Sequence, residues 1–443
     1  MCKTALFDGA LRFTPFWLFL DVLLLLHFAL SWGHSFWKTG WKIDFFYLTL
    51  FQWFIVPLLL IYPFNASFHN AYTLGMNPFL QADPYIDQAF AITLLGYVGV
   101  WMGTYLVSVA EVRGLCERLF SPFRPLEELI IKNTHSRRSI YLLFFLCIGV
   151  TLSITLLSAF DGFFLRPRAF FQQNGSLRPL YNFATTVAPL FLTSLSLYFL
   201  HTKERWAKWL LLTTFPFTIF FGIRAVLIQS LLFYYTFSIF KNRGRFKMIR
   251  FTLVVFFLIF LGLELEKVRE GIPFSSELWA PLAYGSHFSD TRDFAWILAN
   301  WEGDYLYGMG YLANLLSFIP SDFLEFRQQY SLANYTSSLI GLDLGFHNGV
   351  RSGFFGQVFF NFSYLGVFLS GILLGITLKF TDQKFKKCIV ERGDIVEAYG
   401  RTIPSLCLTG ILFSNIYWLL YLFILVHLLQ GALRRVRRCP QNG

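Results

Sequence analysis

Long apolar runs separated by short charged segments repeat along the whole chain. A run of about 20 apolar residues is long enough to cross a bilayer as a helix, and a helix satisfies its own backbone polar groups in lipid. The pattern therefore predicts an all-α, polytopic transmembrane helical bundle with about eleven spans. The predicted spans are 15–32, 44–64, 89–110, 139–160, 181–200, 205–222, 224–240, 250–265, 354–378, 400–414 and 416–432.

One connecting segment, residues 266–353, is much longer than the others and divides the predicted bundle. The organisation is then a bundle of eight spans over 1–265, an external loop region over 266–353, and three spans with a basic tail over 354–443. Apolar residues within 290–306 recur at helical spacing. They predict one or two amphipathic helices, which lie at the outer membrane interface or form a lid over a functional site.

Composition and charge sharpen this picture. Hydrophobic residues make up 55% of the chain and charged residues only 14%, which excludes an ordinary soluble globular protein. With the amino terminus outside, most of the 37 Lys and Arg residues fall in cytoplasmic segments, including 111–138, 241–250, 379–401 and the carboxyl-terminal tail. The net charge of +11 is then mostly a signal that orients the spans, and it also favours contact with anionic lipid headgroups. Nucleic-acid binding is not expected.

Arg224 is the single charged residue in the apolar stretch 209–240. Lys208 and Lys241 flank this stretch with the same cytoplasmic sign, so it predicts a tight hairpin of two short helices whose outer tip carries Gly222 and Arg224. An Arg that lies below the outer membrane surface is expected in a water-filled funnel that binds an anion. The alternative is an interfacial Arg whose guanidinium reaches a lipid phosphate.

Further arginines fall in the predicted outer segments. The loop 161–180 contains Arg but no Lys, and a planar guanidinium binds phosphate through two parallel hydrogen bonds. These arginines form a candidate cradle for a polyanion, or else hold lipid headgroups. The candidate binding arginines beside Arg224 are Arg166, Arg168, Arg178, Arg327 and Arg351.

Other polar residues on the outer side are candidates for sugar contacts and for proton transfer. Gln357 and Asn361 share one helical face near the outer end of the span 354–378, where their amides could bind a sugar or bond across helices. His347, Asp290 and Asp293 are candidates for a general base. A lone loop His is more commonly solvated, which is the alternative for His347.

Three short motifs resemble those of the bacterial O-antigen or oligosaccharide repeat-unit polymerases of the Wzy type. They are the G-x-R tip at 222–224, the external run YGMGYLANLLSFIP at 307–320, and SGFFGQVFFNFSYLGVFLSG at 352–371. The order of the motifs, their sidedness and nearly the whole chain length fit. Two positions depart from the family pattern, because Gln357 replaces an expected Glu and Ser363 replaces an expected Gly.

This resemblance implies an enzyme that transfers a growing glycan from undecaprenyl diphosphate to an incoming lipid-linked repeat unit. The reaction is expected at the outer face of the bacterial cytoplasmic membrane, with the carboxyl terminus cytoplasmic. Arg224 is then the first choice for contact with the diphosphate. Neither a metal nor a nucleotide sugar nor any other cofactor is expected, and a chain-length regulator is a candidate partner beside the lipid-linked donor and acceptor and the bilayer.

Other classes of protein share parts of this pattern. An O-antigen ligase would use the same donor and a prominent loop His, for which His347 is available. A lipid-linked oligosaccharide flippase or another transporter would show repeat-related halves, which the sequence lacks. A membrane O-acyltransferase would show an early intramembrane His and Arg, and only His27 comes close.

Overall fold

The computed structural model shows a helical protein. It describes residues 15–39, 44–51, 54–55, 85–160, 170–171, 177–220, 253, 257, 290–316, 324–340, 350 and 352–402. Within these ranges no residue lies in a β-strand. The all-α prediction is therefore confirmed for the described part of the chain.

The described helices follow in a simple chain order. A 3₁₀ turn, Ser121–Phe123, joins α4 to α5, and a further helical stretch, 395–402, comes after α13. The α-helices are α1 (Pro15–Thr39), α2 (Phe45–Leu50), α3 (Ile86–Leu106), α4 (Ala110–Phe120), α5 (Arg124–His135), α6 (Arg137–Phe160), α7 (Arg178–Thr202), α8 (Arg205–Phe220), α9 (Asp290–Ala299), α10 (Met309–Leu315), α11 (Glu325–Tyr330), α12 (Leu332–Leu339) and α13 (Gly353–Arg392).

Four of these helices, α1, α3, α6 and α13, are long and apolar enough to cross a membrane. Their outward surfaces carry large apolar side chains, such as Leu30 on α1 and Phe145 on α6, which are 72% and 68% exposed. Such surfaces suit lipid and not water, so these helices indicate a membrane protein.

The described residues do not support the full set of eleven spans. Helices α7 and α8 coincide with the predicted spans 181–200 and 205–222, yet they are not among the four, and α8 is described only as far as Phe220. Other predicted spans lie wholly or largely outside the described residues. These are 44–64, 224–240, 250–265, 400–414 and 416–432.

The centre of the fold is the contact between α3 and α13, where glycines bring the two backbones together. A Cβ at Gly371 would overlap the carbonyl oxygen of Gly96, and a Cβ at Gly375 would overlap that of Val100. A Cβ at Gly103 would overlap the carbonyl oxygen of Ile372. Small residues permit this approach, as they do in other membrane helix pairs.

The same contacts fix the direction of the helices. Residue numbers rise together along α3 and α13, so the two helices are parallel and end at the same pole. There α13 meets α5 through a 2.6 Å ion pair between Lys384 Nζ and Glu127 Oε1. We name this end the basic pole, defined by residues 110–138, 201–208 and 379–402. The opposite end, defined by residues 290–316, 324–340 and 350–363, is named the aromatic pole.

Helices α6, α7 and α8 form a second packed group. Phe144 of α6 contacts Phe191 of α7, whereas Tyr141 at the start of α6 stacks on Trp206 at the start of α8. Tyr198, near the end of α7, also contacts Trp206. Helix α7 therefore runs towards the basic pole, as α3 and α13 do, and α6 and α8 run away from it.

A buried charge network joins α13 to the start of α2 near the basic pole. Lys386 Nζ lies 2.5 Å from Asp44 Oδ2 and 2.8 Å from Asp382 Oδ2, and both carboxylates are 1% exposed. Asp44 also accepts a hydrogen bond from the Phe46 N–H, which caps α2. Paired charges are tolerated in a dry interior because each ion replaces part of the other's lost hydration.

Three expectations about helix boundaries and packing need correction. Helix α1 continues to Thr39 instead of ending at 32, and α13 continues to Arg392 instead of ending at 378. Helix α9 of the external segment is packed inside the core and not at the membrane interface, with Phe294 fully buried. The apolar stripe on α9 faces protein, because α3 and α13 cover it.

We predict that Gly371→Ala destabilises the protein, because the new methyl group meets the backbone of α3, which cannot move aside as a side chain could. The expected loss is about 1–3 kcal/mol of unfolding free energy, measured by thermal unfolding in detergent. Gly149→Ala on α6 is the matched control, since a Cβ there meets nothing within 4 Å. Equal stability of the two variants would contradict the close α3–α13 contact.

We also predict that Lys386→Met lowers the unfolding free energy by about 3–5 kcal/mol, because it removes the cation that directly contacts two buried carboxylates. The control is Lys387→Met at the neighbouring position, where the side chain is 63% exposed and lies 3.8 Å from Glu391. Denaturant unfolding of both variants measures the difference. A loss at Lys386 no larger than at Lys387 would show that the network contributes nothing.

Candidate functional site

Some of the predicted site residues are described by the structure and others are not. Asp293, Arg327, Gln357 and Asn361 lie on helices of the aromatic pole, as does Asp290, the first residue of α9, and Arg178 is the first residue of α7. Asp293, Arg327, Gln357 and Asn361 lie on helices that form one packed group. Helix α10 contacts α11 and α13, and α9 contacts α13. Five predicted site residues lie outside the described residues: Arg224, His347, Arg166, Arg168 and Arg351.

Helix α9 positions the assembly by packing its apolar side into the core. Phe294 is fully buried and its ring contacts Phe359 and Phe360 of α13 edge-on, with centroid distances of 5.9 and 5.5 Å. A Cβ at Gly356 would lie 3.0 Å from the Phe294 ring, so glycine leaves the space that the ring fills. Asp293, the residue before Phe294, is half-buried and interacts with its surroundings.

Asn361 connects α13 to the start of α10. Its Oδ1 accepts a hydrogen bond of 3.1 Å from the Gly310 N–H, and its Nδ2 donates one of 2.9 Å to the Gln357 carbonyl. The side chain is only 2% exposed. The oxygen and the nitrogen of the Asn361 side-chain amide are thus both bonded to protein, and the bond to Gly310 is the cross-helix alternative for this residue. We name residues 305–311 together with 360–363 the junction.

A sharp break in α13 lies at the junction. Ser363 has φ 62° and ψ −166°, a backbone conformation that is essentially restricted to glycine. Its hydroxyl donates a 3.1 Å hydrogen bond to Tyr305 Oη. Glycine, which the resemblance leads us to expect at this position, would adopt this conformation without strain.

A backbone hydrogen bond also joins the junction to the preceding loop. The Phe360 carbonyl accepts a 2.8 Å bond from the Leu306 N–H. The loop before α10 is therefore held by a carbonyl of α13 as well as by the Asn361 amide.

Both glycines of the sequence YGMG have a structural reason at the junction. Gly308 has φ 87° and precedes α10 as its N-cap, a conformation that glycine adopts without strain. A Cβ at Gly310 would lie 3.0 Å from the Asn361 amide. Tyr307, between the loop and the helix, has φ 45° and is 80% exposed.

Aromatic side chains surround the junction and continue to the surface. Tyr311 stacks on Phe362, with ring centroids 5.7 Å apart, and Phe362 and Tyr364 are both about half exposed. Deeper in, the Tyr335 hydroxyl donates to the Asp304 carbonyl at 3.3 Å. Burial raises the pKa of Tyr335, so this hydroxyl stays protonated at neutral pH.

Sequence reasoning placed Tyr305 and Leu306 on an amphipathic helical stripe and missed their role at the junction, which depends on contacts with residues more than 50 positions away. The available signal was the G-x-G spacing at 308–310. Among the described residues, a group with the spacing of metal ligands lies at the basic pole and not here. It consists of His135, His201 and Asp394.

No protein-family model, curated protein or solved structure matches the chain. The function is therefore inferred from the residues of the chain itself.

We predict that Ser363→Gly stabilises the protein. Release of the backbone strain gains about 1–3 kcal/mol, and loss of the hydrogen bond to Tyr305 removes about 0.5–1.5 kcal/mol of this gain. Tyr305→Phe measures the hydrogen bond alone. Thermal unfolding in detergent gives each difference in stability.

The control is Ser370→Gly, seven residues further along the regular part of α13. There glycine replaces a residue in ordinary helical conformation and should destabilise by about 0.5–1 kcal/mol. Opposite signs at 363 and 370 are expected. Destabilisation of similar size at both positions would mean that Ser363 is not held in the strained conformation.

Proposed function

We propose that the protein is a membrane glycosyltransferase that polymerises oligosaccharide repeat units linked to undecaprenyl diphosphate. The product is a surface polysaccharide of the O-antigen or capsule type. The proposed location is the bacterial cytoplasmic membrane, crossed about eleven times, with the aromatic pole outside and the carboxyl terminus in the cytoplasm.

The observation that carries this proposal is the contact between two motifs of the family resemblance. The run YGMGYLANL and the run GQVFFNFSY are 51 residues apart at the bond between Gly310 and Asn361, yet they interlock at the junction. At the junction, Gly308 and Gly310 have the space or backbone conformation that needs glycine, and Asn361 makes the connecting hydrogen bond. If the two motifs resembled the family only by chance, there would be no reason to expect them to contact each other.

Helix directions support the proposed topology. In that topology the spans containing α3, α7 and α13 pass inward, whereas those containing α6 and α8 pass outward. The described helices have these relative directions, since the first three end at the basic pole and the other two start there. The basic segments 111–138, 202–208 and 379–401 also gather at one pole, as cytoplasmic segments would.

The reaction breaks the bond between the sugar C1 and the diphosphate oxygen of the donor and forms a bond from C1 to an acceptor hydroxyl oxygen. The bonding pair of the broken bond leaves with the diphosphate, and the hydroxyl proton passes to a base. Guanidinium groups aimed at the diphosphate stabilise the charge that develops there. Arg224 is proposed for this role, assisted by Arg166 and Arg168, with His347, Asp290 or Asp293 as the base.

The exposed aromatic surface at the junction suits this substrate class. Tyr307, Phe362 and Tyr364 offer flat apolar faces beside polar hydroxyls and amides. Such surfaces can contact the apolar face of a sugar ring or the first isoprene units of the lipid carrier. The acceptor and donor lipids would reach it from the bilayer while their sugars stay in water.

We predict that Arg224→Ala abolishes polymerisation and that Arg224→Lys fails to restore it, because an ammonium lacks the planar fork of a guanidinium. The measurement is complementation of a deletion strain, with surface glycan length read on a gel and membrane insertion checked by immunoblot. The expected product is a lipid acceptor that carries a single repeat unit.

Arg113→Ala is the matched control, because Arg113 is 49% exposed on α4 and pairs only weakly with Glu117 at 3.7 Å. It should leave long chains unchanged. Long chains in Arg224→Ala would refute the diphosphate role of Arg224. Disappearance of even the single repeat would instead favour a ligase or a flippase.

A further inference from the structure

Two histidines and an aspartate meet at the basic pole from three separate elements. His135 ends α5, His201 lies in the last turn of α7, and Asp394 lies in the turn between α13 and the helical stretch 395–402. His135 Nε2 is 3.1 Å from Asp394 Oδ2, and His201 Nδ1 is 3.3 Å from Asp394 Oδ1. One donor atom from each residue lies within 4.8 Å of the others.

The hydrogen bond on the far side of His135 determines what this ring can do. Its Nδ1 lies 2.8 Å from the Ile131 carbonyl oxygen, which can only accept, so Nδ1 carries a proton. In the neutral ring Nε2 then carries a lone pair that faces a carboxylate oxygen. Two acceptors at this distance require a proton or a metal ion between them.

The same hydrogen bond is a typical feature of metal-binding histidines. A ligating imidazole usually donates its second N–H to a backbone carbonyl or a carboxylate, which fixes both the tautomer and the orientation of the ring. Asp394 is oriented in a similar way, because its Oδ1 accepts a 2.9 Å bond from the Val396 N–H. Both ligands are thus held in place before any ion arrives.

The spacing of the donor atoms is close to what a small divalent cation requires. With metal–ligand distances of about 2.0 Å, tetrahedral coordination places neighbouring ligand atoms about 3.3 Å apart. His135 Nε2 lies 3.1 Å from Asp394 Oδ2 and His201 Nδ1 lies 3.3 Å from Asp394 Oδ1, so the two rings meet different oxygens of one carboxylate. One donor atom from each residue lies within 4.8 Å of the others, so the ion would draw them slightly closer. The His135 and His201 rings lie edge to face, with centroids 4.6 Å apart, so they do not block each other.

We infer that His135, His201 and Asp394 form a binding site for a divalent first-row transition metal ion, with Zn²⁺ as the best fit. Two imidazole nitrogens and one carboxylate oxygen are a ligand set that zinc accepts. The three side chains are 23–39% exposed, so water can complete the coordination. The ion would join the ends of α5, α7 and α13, and this inference does not depend on the proposed glycosyl transfer at the other pole.

The nearby charges are compatible with a bound cation. Arg392 and Arg401 both pair with Glu397, the carboxylate one turn after Asp394, with Arg401 Nη2 at 2.8 Å. Their positive charge is therefore partly neutralised. The alternative occupant is a proton on each imidazole, which would make the cluster a pair of ion pairs on one carboxylate.

Titration with Co²⁺ separates these alternatives. The full-length protein is purified in detergent with a tag that contains no histidine, stripped with a chelator, and titrated while visible d–d absorption is recorded. We expect saturation at a single Co²⁺ per chain and loss of the absorption when Zn²⁺ displaces it. His201→Gln and Asp394→Asn should each weaken Co²⁺ binding by at least about 10-fold.

His34→Gln is the matched control, because His34 is an exposed histidine on α1 that is not part of the cluster. It should bind Co²⁺ as the wild type does. Absence of saturable absorption in the wild type, or equal affinity in His201→Gln, would overturn the inference. Circular dichroism checks that each variant is folded, and X-ray absorption of the zinc-loaded wild type tests independently for imidazole and oxygen ligands.

Discussion

The direct backbone contact between α3 and α13 is the constraint on which the rest of the structure depends. Gly99, Gly371 and Gly375 remove the side chains that would separate the helices, so the two axes can run close together in the same direction. Because α13 is fixed in this way, its beginning presents Phe359 and Asn361 to α9 and α10. Its end presents Lys384 and Lys386 to α5 and α2, and the two poles are therefore set by one helix pair.

The sequence was sufficient for the helical class and for the positions of α3, α6, α7 and α13, because span-length apolar runs depend on nothing outside themselves. It gave the wrong environment for α9. A stripe of Phe294, Ile297 and Leu298 fits a membrane interface and a protein core equally well, since both are apolar, and only the tertiary packing decides between them. The eleven-span count stays a prediction, because several of those spans lie outside the described residues.

Sequence reasoning can place a candidate site residue only where its position follows from its own neighbours in the chain. The spacing of Gln357 and Asn361 placed them on one face, but the partner of Asn361 lies across the fold in Gly310. Likewise, no local signal marks Ser363 as strained, because the strain comes from contacts with the loop before α10. The cluster of His135, His201 and Asp394 was missed for the same reason, since its two closest pairs join distant elements.

The length of α13 has a consequence for the geometry at the membrane. The part after Ser363 is about 43 Å long at about 1.5 Å per residue, whereas the hydrocarbon core is about 30 Å thick. The helix is therefore longer than one crossing of the hydrocarbon core requires. Its last turns carry charged side chains, and α5 is joined to them by the ion pair of Glu127 and Lys384. Protein contacts and not lipid thus hold this end of the helix.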